Sequence, residues 1–144
     1  MMKLISKFFF PIFILVILYL LISGNLLSSS PWVIATQILA LALGIWARRS
    51  FRSGQFSTSA ETKQGQLLLT GPYKFIRHPI YATVLVLVWS SVLGHPSLTT
   101  LIVSVIMTIV TMIRIVTEEQ FLQERDPDYT EYSRATKRII PFIF

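Results

Sequence analysis

The sequence predicts an all-α integral membrane protein with four transmembrane helices arranged as two hairpins, followed by a cytosolic amphipathic C-terminal segment. Three observations predict it. Hydrophobic residues make up 53% of the 144 positions and charged residues only 14%, with a mean hydropathy of +0.63. The apolar residues gather in four runs, Phe8 to Ile22, Trp32 to Ala47, Ile80 to Leu93 and Leu98 to Val116. Every Lys and Arg lies at the N-terminus, in the middle segment, or from Arg114 onward. Composition this rich in Leu, Ile, Val and Phe excludes a disordered chain, and the absence of cysteine excludes disulfides, thiolate zinc sites and a cysteine nucleophile.

The first hairpin, residues 1–47, carries no charge between Lys7 and Arg48, and its two runs are joined by Ser23-Gly24-Asn25 and Ser28-Ser29-Ser30-Pro31. An uncharged stretch of that length, interrupted by a polar turn, reads as two spans. A cleavable signal peptide over residues 1 to about 30 also fits the two lysines and the apolar run. That alternative leaves three spans and puts the charged regions on inconsistent sides. Residues 48–78 form a loop of mixed character that ends in Gly71-Pro72-Tyr73, and a loop this long in a small protein is expected to have a function.

The second hairpin, residues 79–117, turns at Gly94-His95-Pro96-Ser97. Its first helix is expected to start at Pro79, because proline is well tolerated at the first helical position and costly inside. At a rise of about 1.5 Å per residue the third run covers roughly 21 Å and the fourth roughly 28 Å, so the third must borrow flanking residues or sit in thinned bilayer. Residues 118–144 are polar and helix-prone, with Phe121, Leu122, Tyr129 and Tyr132 at helical spacings and a break at Asp126-Pro127. This segment is expected to fold back on the membrane face or on the middle loop.

With four spans, all three basic regions share one side and both tight turns, which lack Lys and Arg, share the other. The positive-inside rule makes the basic side cytosolic, giving a multi-pass protein of the cytoplasmic (inner) membrane with both termini in the cytosol. The net charge of +6 is then chiefly a topology signal, not a nucleic-acid footprint. The whole is one domain.

Two polar clusters occupy boundary positions. In Gly71-Pro72-Tyr73-Lys74-Phe75-Ile76-Arg77-His78-Pro79-Ile80-Tyr81, a helix starting at Pro79 would aim its free N–H groups and positive dipole end at the interface. His78 and Tyr81 would share a face. Arg, His and Tyr also serve as interfacial anchors with no ligand. The second cluster is Arg114, Glu118 and Glu119, where Arg114 and Glu118 lie one helical turn apart. Boundary ion pairs are costly unless partnered, and adjacent carboxylates near a helix C-terminus call for a nearby cation. A plain alternative has Arg114 paired with Glu118 and Glu119 solvated.

Together the motifs resemble the isoprenylcysteine carboxyl methyltransferase and phospholipid methyltransferase superfamily. The string Gly-Pro-Tyr-x-x-x-Arg-His-Pro-x-Tyr opens a membrane helix and is followed by a hairpin and Arg-x-x-x-Glu-Glu. Next come Glu124-Arg125-Asp126-Pro127-Asp128-Tyr129-x-x-Tyr132 and Arg138-x-x-Pro141. The likeness covers residues about 65 to 141. It implies an S-adenosylmethionine-dependent methyltransferase whose cofactor binds at the cytosolic helix ends. It further implies cofactor contacts from Gln66, Leu67, Leu68, Tyr73, His78, Pro79, Ile80, Tyr81, Glu118 and Glu119, a catalytic and substrate role for Arg114, and no metal. The sequence departs from the family at Thr83, where a glycine is common, and at Asp126-Pro127-Asp128, where Phe-Gly is frequent.

Methyl transfer from a sulfonium mainly requires donor and acceptor to be oriented. A carboxylate acceptor needs a positioning cation, for which the planar fork of Arg114 is suited, whereas an ammonium headgroup needs a base such as His78 or a glutamate. Arg114 tilts the expectation toward isoprenylcysteine carboxyl O-methylation, with phospholipid N-methylation as the alternative. The partners expected are a lipophilic substrate entering from the bilayer and membrane lipids, without nucleic acid; the oligomeric state is unknown. Two other readings are a steroid-reductase-type enzyme using NADPH and a small membrane interaction protein.

Overall fold

The computed structural model describes residues 8–51 and 67–140. Among them are five α-helices, one 3₁₀ turn and no strand: α1 (Phe9–Ile22), α2 (Pro31–Arg49), the 3₁₀ turn Gly71–Lys74, α3 (Pro79–Gly94), α4 (Leu98–Arg125) and α5 (Tyr129–Ala135). The four apolar runs of the sequence all form helices. Two of these, α2 and α4, are long and apolar enough to cross a membrane, and α1 and α3 are shorter apolar helices. Gln66 lies outside the described residues, as do the lysines of the N-terminus, Lys63 and Pro141.

Local chemistry sets the helix boundaries. Proline occupies the first turn of both α2 and α3, where its missing N–H costs nothing. A capping box starts α4: Ser97 Oγ accepts from Thr100 N at 3.1 Å, and Thr100 Oγ1 accepts from Ser97 N at 3.1 Å, satisfying two end N–H groups. Arg48 and Arg49 close α2, where cations favour the negative dipole end. The 28 residues of α4 span about 42 Å, so this helix runs past the apolar stretch that ends at Val116 and through the expected boundary at 117/118. It stops only at Asp126-Pro127.

Hydrogen bonds between apolar helices fix their pairing. Gln37 Nε2 on α2 donates to Ser90 Oγ on α3 at 2.9 Å, and Thr83 Oγ1 on α3 donates to Ala40 O on α2 at 3.1 Å. Ser104 Oγ on α4 donates to Val88 O on α3 at 3.2 Å. These contacts make α2 and α3 antiparallel, and likewise α3 and α4. Such bonds matter here because outward-facing side chains, including Leu15, Trp32, Leu39 and Leu98, are themselves large and apolar. Apolar burial alone then discriminates poorly between inside and outside, whereas close packing and polar links specify register. The interior is filled by Phe9, Tyr81, Val84, Val88, Met107 and Ile115.

The two tight turns lie at the same end of the bundle. His95 Nε2 is 2.7 Å from Leu27 O, and Ser28 packs against Gly94. Between α1, α2 and α3 on this side is a cavity of about 410 Å³, lined by Phe13, Ile17, Leu26, Leu41 and Leu87 among others, with Gln37 as its polar member. The start of α3 and the polar end of α4 meet at the opposite end.

Candidate functional site

At that opposite end three stretches of chain converge. Gly71 begins the 3₁₀ turn at φ +60°, a left-handed backbone that favours glycine, and a Cβ there would collide with Ser50 and Trp46 at the end of α2. The turn therefore sits directly on α2. After it the chain leads to His78 and pairs in parallel with the C-terminal tail through Ile76 and Lys137. Arg77 N donates to Lys137 O at 2.7 Å and His78 N to Arg138 O at 2.9 Å.

The tail reaches this position through α5. Tyr132 Oη donates to Tyr73 O at 2.9 Å, and Arg77 Nη1 donates to the carbonyls of Ser133, at 2.7 Å, and Thr136. Of the two fold-back surfaces expected for the C-terminal segment, the structure uses the middle loop. Burial pushes the Tyr132 phenol up to about 12 and raises that of Tyr73 further, so both remain protonated.

Glu119 forms the hub of this clamp. Its Oε1 lies 3.0 Å from Arg77 Nε and 3.2 Å from His78 Nε2, and its Oε2 lies 2.9 Å from Arg138 Nη2. Burial works to raise its carboxyl, but hydrogen bonds from His78, Arg138 and Arg77 win and hold it at about 2. The same contact holds the Arg138 guanidinium above its ordinary value. Arg77 and Arg138 are thus the cations that the adjacent carboxylates call for. Glu119 is buried, unlike the solvated carboxylate of the plain alternative.

Glu118 faces elsewhere. Tyr81 Oη donates to Glu118 Oε2 at 2.6 Å and accepts from Arg114 Nε at 2.9 Å. Arg114 Nε is 3.9 Å from the same carboxylate oxygen. The Arg114 side chain is 1% exposed and that of Glu118 20%, so the carboxylate is the group of this trio that can be reached. His78 stacks on Tyr81 with ring centroids 5.5 Å apart, which couples the two acidic residues' surroundings.

The structure thus brings together His78, Tyr81, Arg114, Glu118 and Glu119. Tyr73 joins them through Tyr132, and Pro79 is buried at the start of α3 beside half-buried Ile80. Leu67 and Leu68 are half-buried, non-helical chain ahead of the 3₁₀ turn. Arg77, which its place in the motif already puts with the site, belongs to the constellation, and so do Tyr129, Tyr132 and Arg138, to which the sequence assigns no individual site role. Their signal was present in the motifs that carry them.

The departure at Thr83 has a structural explanation. A Cβ on Gly44 of α2 would lie 3.0 Å from Thr83 Cγ2, so the close helix approach that a glycine on α3 would give is supplied from α2 instead. Thr83 Oγ1 is bonded to Ala40 O and Pro79 O, both at 3.1 Å.

The donor set fits S-adenosylmethionine. Glu118 offers a reachable carboxylate for an ammonium or a ribose hydroxyl, and Tyr129, 1% exposed, has a hydroxyl with no hydrogen-bond partner among the described residues. A buried hydroxyl left so is unfavourable unless a ligand engages it. A family model for phospholipid methyltransferases matches residues 32–125, from the start of α2 to the end of α4. No curated protein and no solved structure matches the chain.

Proposed function

Because the chain belongs to the phospholipid methyltransferase family, we propose that it methylates the amine headgroup of a phospholipid at the charged end of the helix bundle, with S-adenosylmethionine as donor. Membership of the family makes the protein a membrane methyltransferase with a lipophilic acceptor; the amine is the further step. The observation that carries it is the disposition of Glu118 and Arg114. Glu118 is the accessible carboxylate, held by Tyr81, whereas Arg114 is buried and turned toward Tyr81 and Glu118. A carboxylate acceptor would have to draw Arg114 out of that arrangement, while an ammonium finds its counter-ion already presented.

In this reading all four apolar helices span the bilayer. The polar clamp lies at the cytosolic surface, both termini lie in the cytosol, and the two tight turns lie on the far side. The lack of Lys and Arg in those turns supports this orientation, and the overhang of α4 beyond Val116 supports a site at the membrane boundary. The cavity between α1, α2 and α3 supports entry of an acyl chain from the bilayer. It is apolar apart from Gln37, and Phe13 in its wall is one turn from Phe9, whose ring meets Tyr81 at 5.1 Å.

His78, Pro79, Ile80, Tyr81, Glu118 and Tyr73 would hold the cofactor, with Leu67 and Leu68 flanking it. When bound, S-adenosylmethionine supplies an electrophilic methyl group on a sulfonium. The residues do the rest. Glu118 orients the headgroup nitrogen and takes its proton, so that the nitrogen presents a lone pair. The cofactor would supply the methyl group to that lone pair, the N–C bond replacing its S–C bond and the positive charge ending on nitrogen. Tyr81 fixes the Glu118 carboxylate, and Arg114 fixes Tyr81. Glu119, committed to Arg77, His78 and Arg138, keeps the clamp closed instead of contacting the reacting atoms.

The test is methyl transfer by the purified protein in nanodiscs, using labelled S-adenosylmethionine with either phosphatidylethanolamine or a farnesylcysteine analogue. Label in the phospholipid is the expected outcome. Label only in the prenylated carboxylate would transfer the assignment to isoprenylcysteine-type O-methylation and give Arg114 the acceptor-positioning role.

A further inference from the structure

Tyr129 opens α5, the helix whose Ser133 carbonyl is bonded by Arg77. It is 1% exposed, and its ring meets that of Tyr132 edge-on at 6.0 Å. The two tyrosines differ in one respect. Tyr132 spends its hydroxyl on Tyr73 O at 2.9 Å, whereas the Tyr129 hydroxyl is buried with no hydrogen-bond partner among the described residues. Burial, and then the nearby Glu119 carboxylate, push its phenol up, so the group is a neutral O–H donor in the pH range of the cell.

The clamp does not need this hydroxyl. α5 is already tied down by the Tyr132–Tyr73 bond, by the two carbonyls on Arg77, and by the pairing of Lys137 and Arg138 with the segment before α3. A phenylalanine would fill the same volume without burying a donor. Glu119 cannot serve as the acceptor without giving up a cation, because both its oxygens are engaged. Tyr129 shares the short α5 with Tyr132, which bonds Tyr73 O, and with Ser133, whose carbonyl bonds the Arg77 that holds Glu119, so the donor is carried by the helix fastened to the site.

We propose that Tyr129 is a cofactor-binding residue, its hydroxyl donating to an acceptor oxygen, carboxylate or ribose, of bound S-adenosylmethionine. This rests on the methyltransferase reading above and adds to it a contact from α5, a helix outside the segment that matches the family. The C-terminal clamp then forms one wall of the cofactor site as well as bracing its floor. Cofactor binding and closure of the tail are coupled through this one residue.

The test compares the full-length wild type with Tyr129→Phe in detergent, using S-adenosylhomocysteine as the titrant in calorimetry and thermal unfolding without ligand as the second measurement. Loss of one neutral hydrogen bond is expected to weaken binding by about three- to tenfold. The ligand-free unfolding temperature is expected to be no lower than that of the wild type. A variant dissociation constant within twofold of wild type overturns the proposal. So does a fall in ligand-free stability or a failure to fold, since the hydroxyl is then structural. Absence of saturable binding to the wild type overturns the methyltransferase reading itself, and is distinguished from the other outcomes by that control.

Discussion

The Tyr81 hydroxyl donates to Glu118 Oε2 at 2.6 Å, across the gap between the first turn of α3 and the end of the apolar run of α4. The Tyr81 hydroxyl oxygen in turn accepts from Arg114 Nε at 2.9 Å. One phenol thus holds a reachable carboxylate and a buried guanidinium in register, and Tyr81→Phe deletes both bonds without changing the ring. Hydrogen bonds to charged groups contribute about 1.5–3 kcal/mol, so methyl transfer is expected to fall by roughly ten- to a hundredfold. The measurement is the initial rate at saturating S-adenosylmethionine, with thermal unfolding as a check on the fold. A rate within twofold of wild type would show that Glu118 needs no such fixing.

Glu118 and Glu119 are neighbours in sequence with different roles, and their Gln variants separate them. Glu119→Gln removes the counter-charge of Arg77, whose side chain is only 10% exposed, and of the half-exposed Arg138. Breaking a buried pair by removing one member typically costs about 3–5 kcal/mol. The more exposed Arg138 end contributes less, so a marked drop in unfolding temperature is expected. Glu118→Gln leaves the clamp intact and is expected to keep the unfolding temperature while weakening S-adenosylhomocysteine binding. Calorimetry and thermal denaturation of both variants check the split, and equal stability losses would refute it.

The pH dependence of stability follows from the same carboxylate. Glu119 is held at about 2, below its ordinary 4.5. A depressed folded-state pKa gives a contribution that is fully present above the unfolded value and lost as the pH falls through the folded one. The unfolding temperature is therefore expected to hold down to about pH 4.5 on this account and to decline between 4.5 and 2. Glu119→Gln should lack that part of the decline. An identical acid profile in the variant would rule out Glu119 as its source.

Much of this arrangement is legible in the chain. Pro79 sets the start of α3, and the turn at Gly94-His95-Pro96-Ser97 sets its end, because proline and polar turn residues act locally. The pairing of Arg114 with Glu118 follows from helical spacing. What is not legible depends on contacts far apart in sequence. The helical tendency after Glu118 and its break at Asp126-Pro127 are legible, but that this stretch continues α4 without interruption is not, because no apolar run joins it to the membrane helix. Arg138 reads as a topology charge, and Arg77 as a motif residue without a named partner, until the Ile76–Lys137 pairing brings both to Glu119. Tyr129 and Tyr132 share a motif and a helix, and only the fold shows that one hydroxyl is bonded and the other is not.

Gly44 and Thr83 make a second long-range pair. A Cβ on Gly44 meets Thr83 Cγ2 at 3.0 Å and Thr83 Oγ1 at 3.2 Å, so a larger side chain must push α2 and α3 apart. Gly44→Val is expected to destabilise by about 1–3 kcal/mol, the usual range for overpacking. In a Thr83→Ala background that loss should shrink, because the facing branch is gone. A double-mutant cycle read by thermal unfolding measures the coupling, and strict additivity would show that the close approach lies elsewhere.

The cavity between α1, α2 and α3 tests how the acceptor is held. Its walls include Leu41 and Leu87, both on the apolar faces of helices whose polar ends form the clamp, and its volume of about 410 Å³ suits hydrocarbon better than water because Gln37 is its polar member. Gln37 Nε2 is occupied by Leu26 O at 2.7 Å and Ser90 Oγ at 2.9 Å, which leaves little to hydrate the space. Leu41→Trp fills it from one wall without touching Tyr81, Arg114 or Glu118. If an acyl chain lies there, KM for long-chain phosphatidylethanolamine should rise several-fold, while a short-chain analogue and S-adenosylhomocysteine bind as before. Steady-state kinetics with the two acceptors decide the point: equal effects on both chain lengths would mean that the substitution acts through the fold, and no effect on either would place the acyl chain outside the cavity.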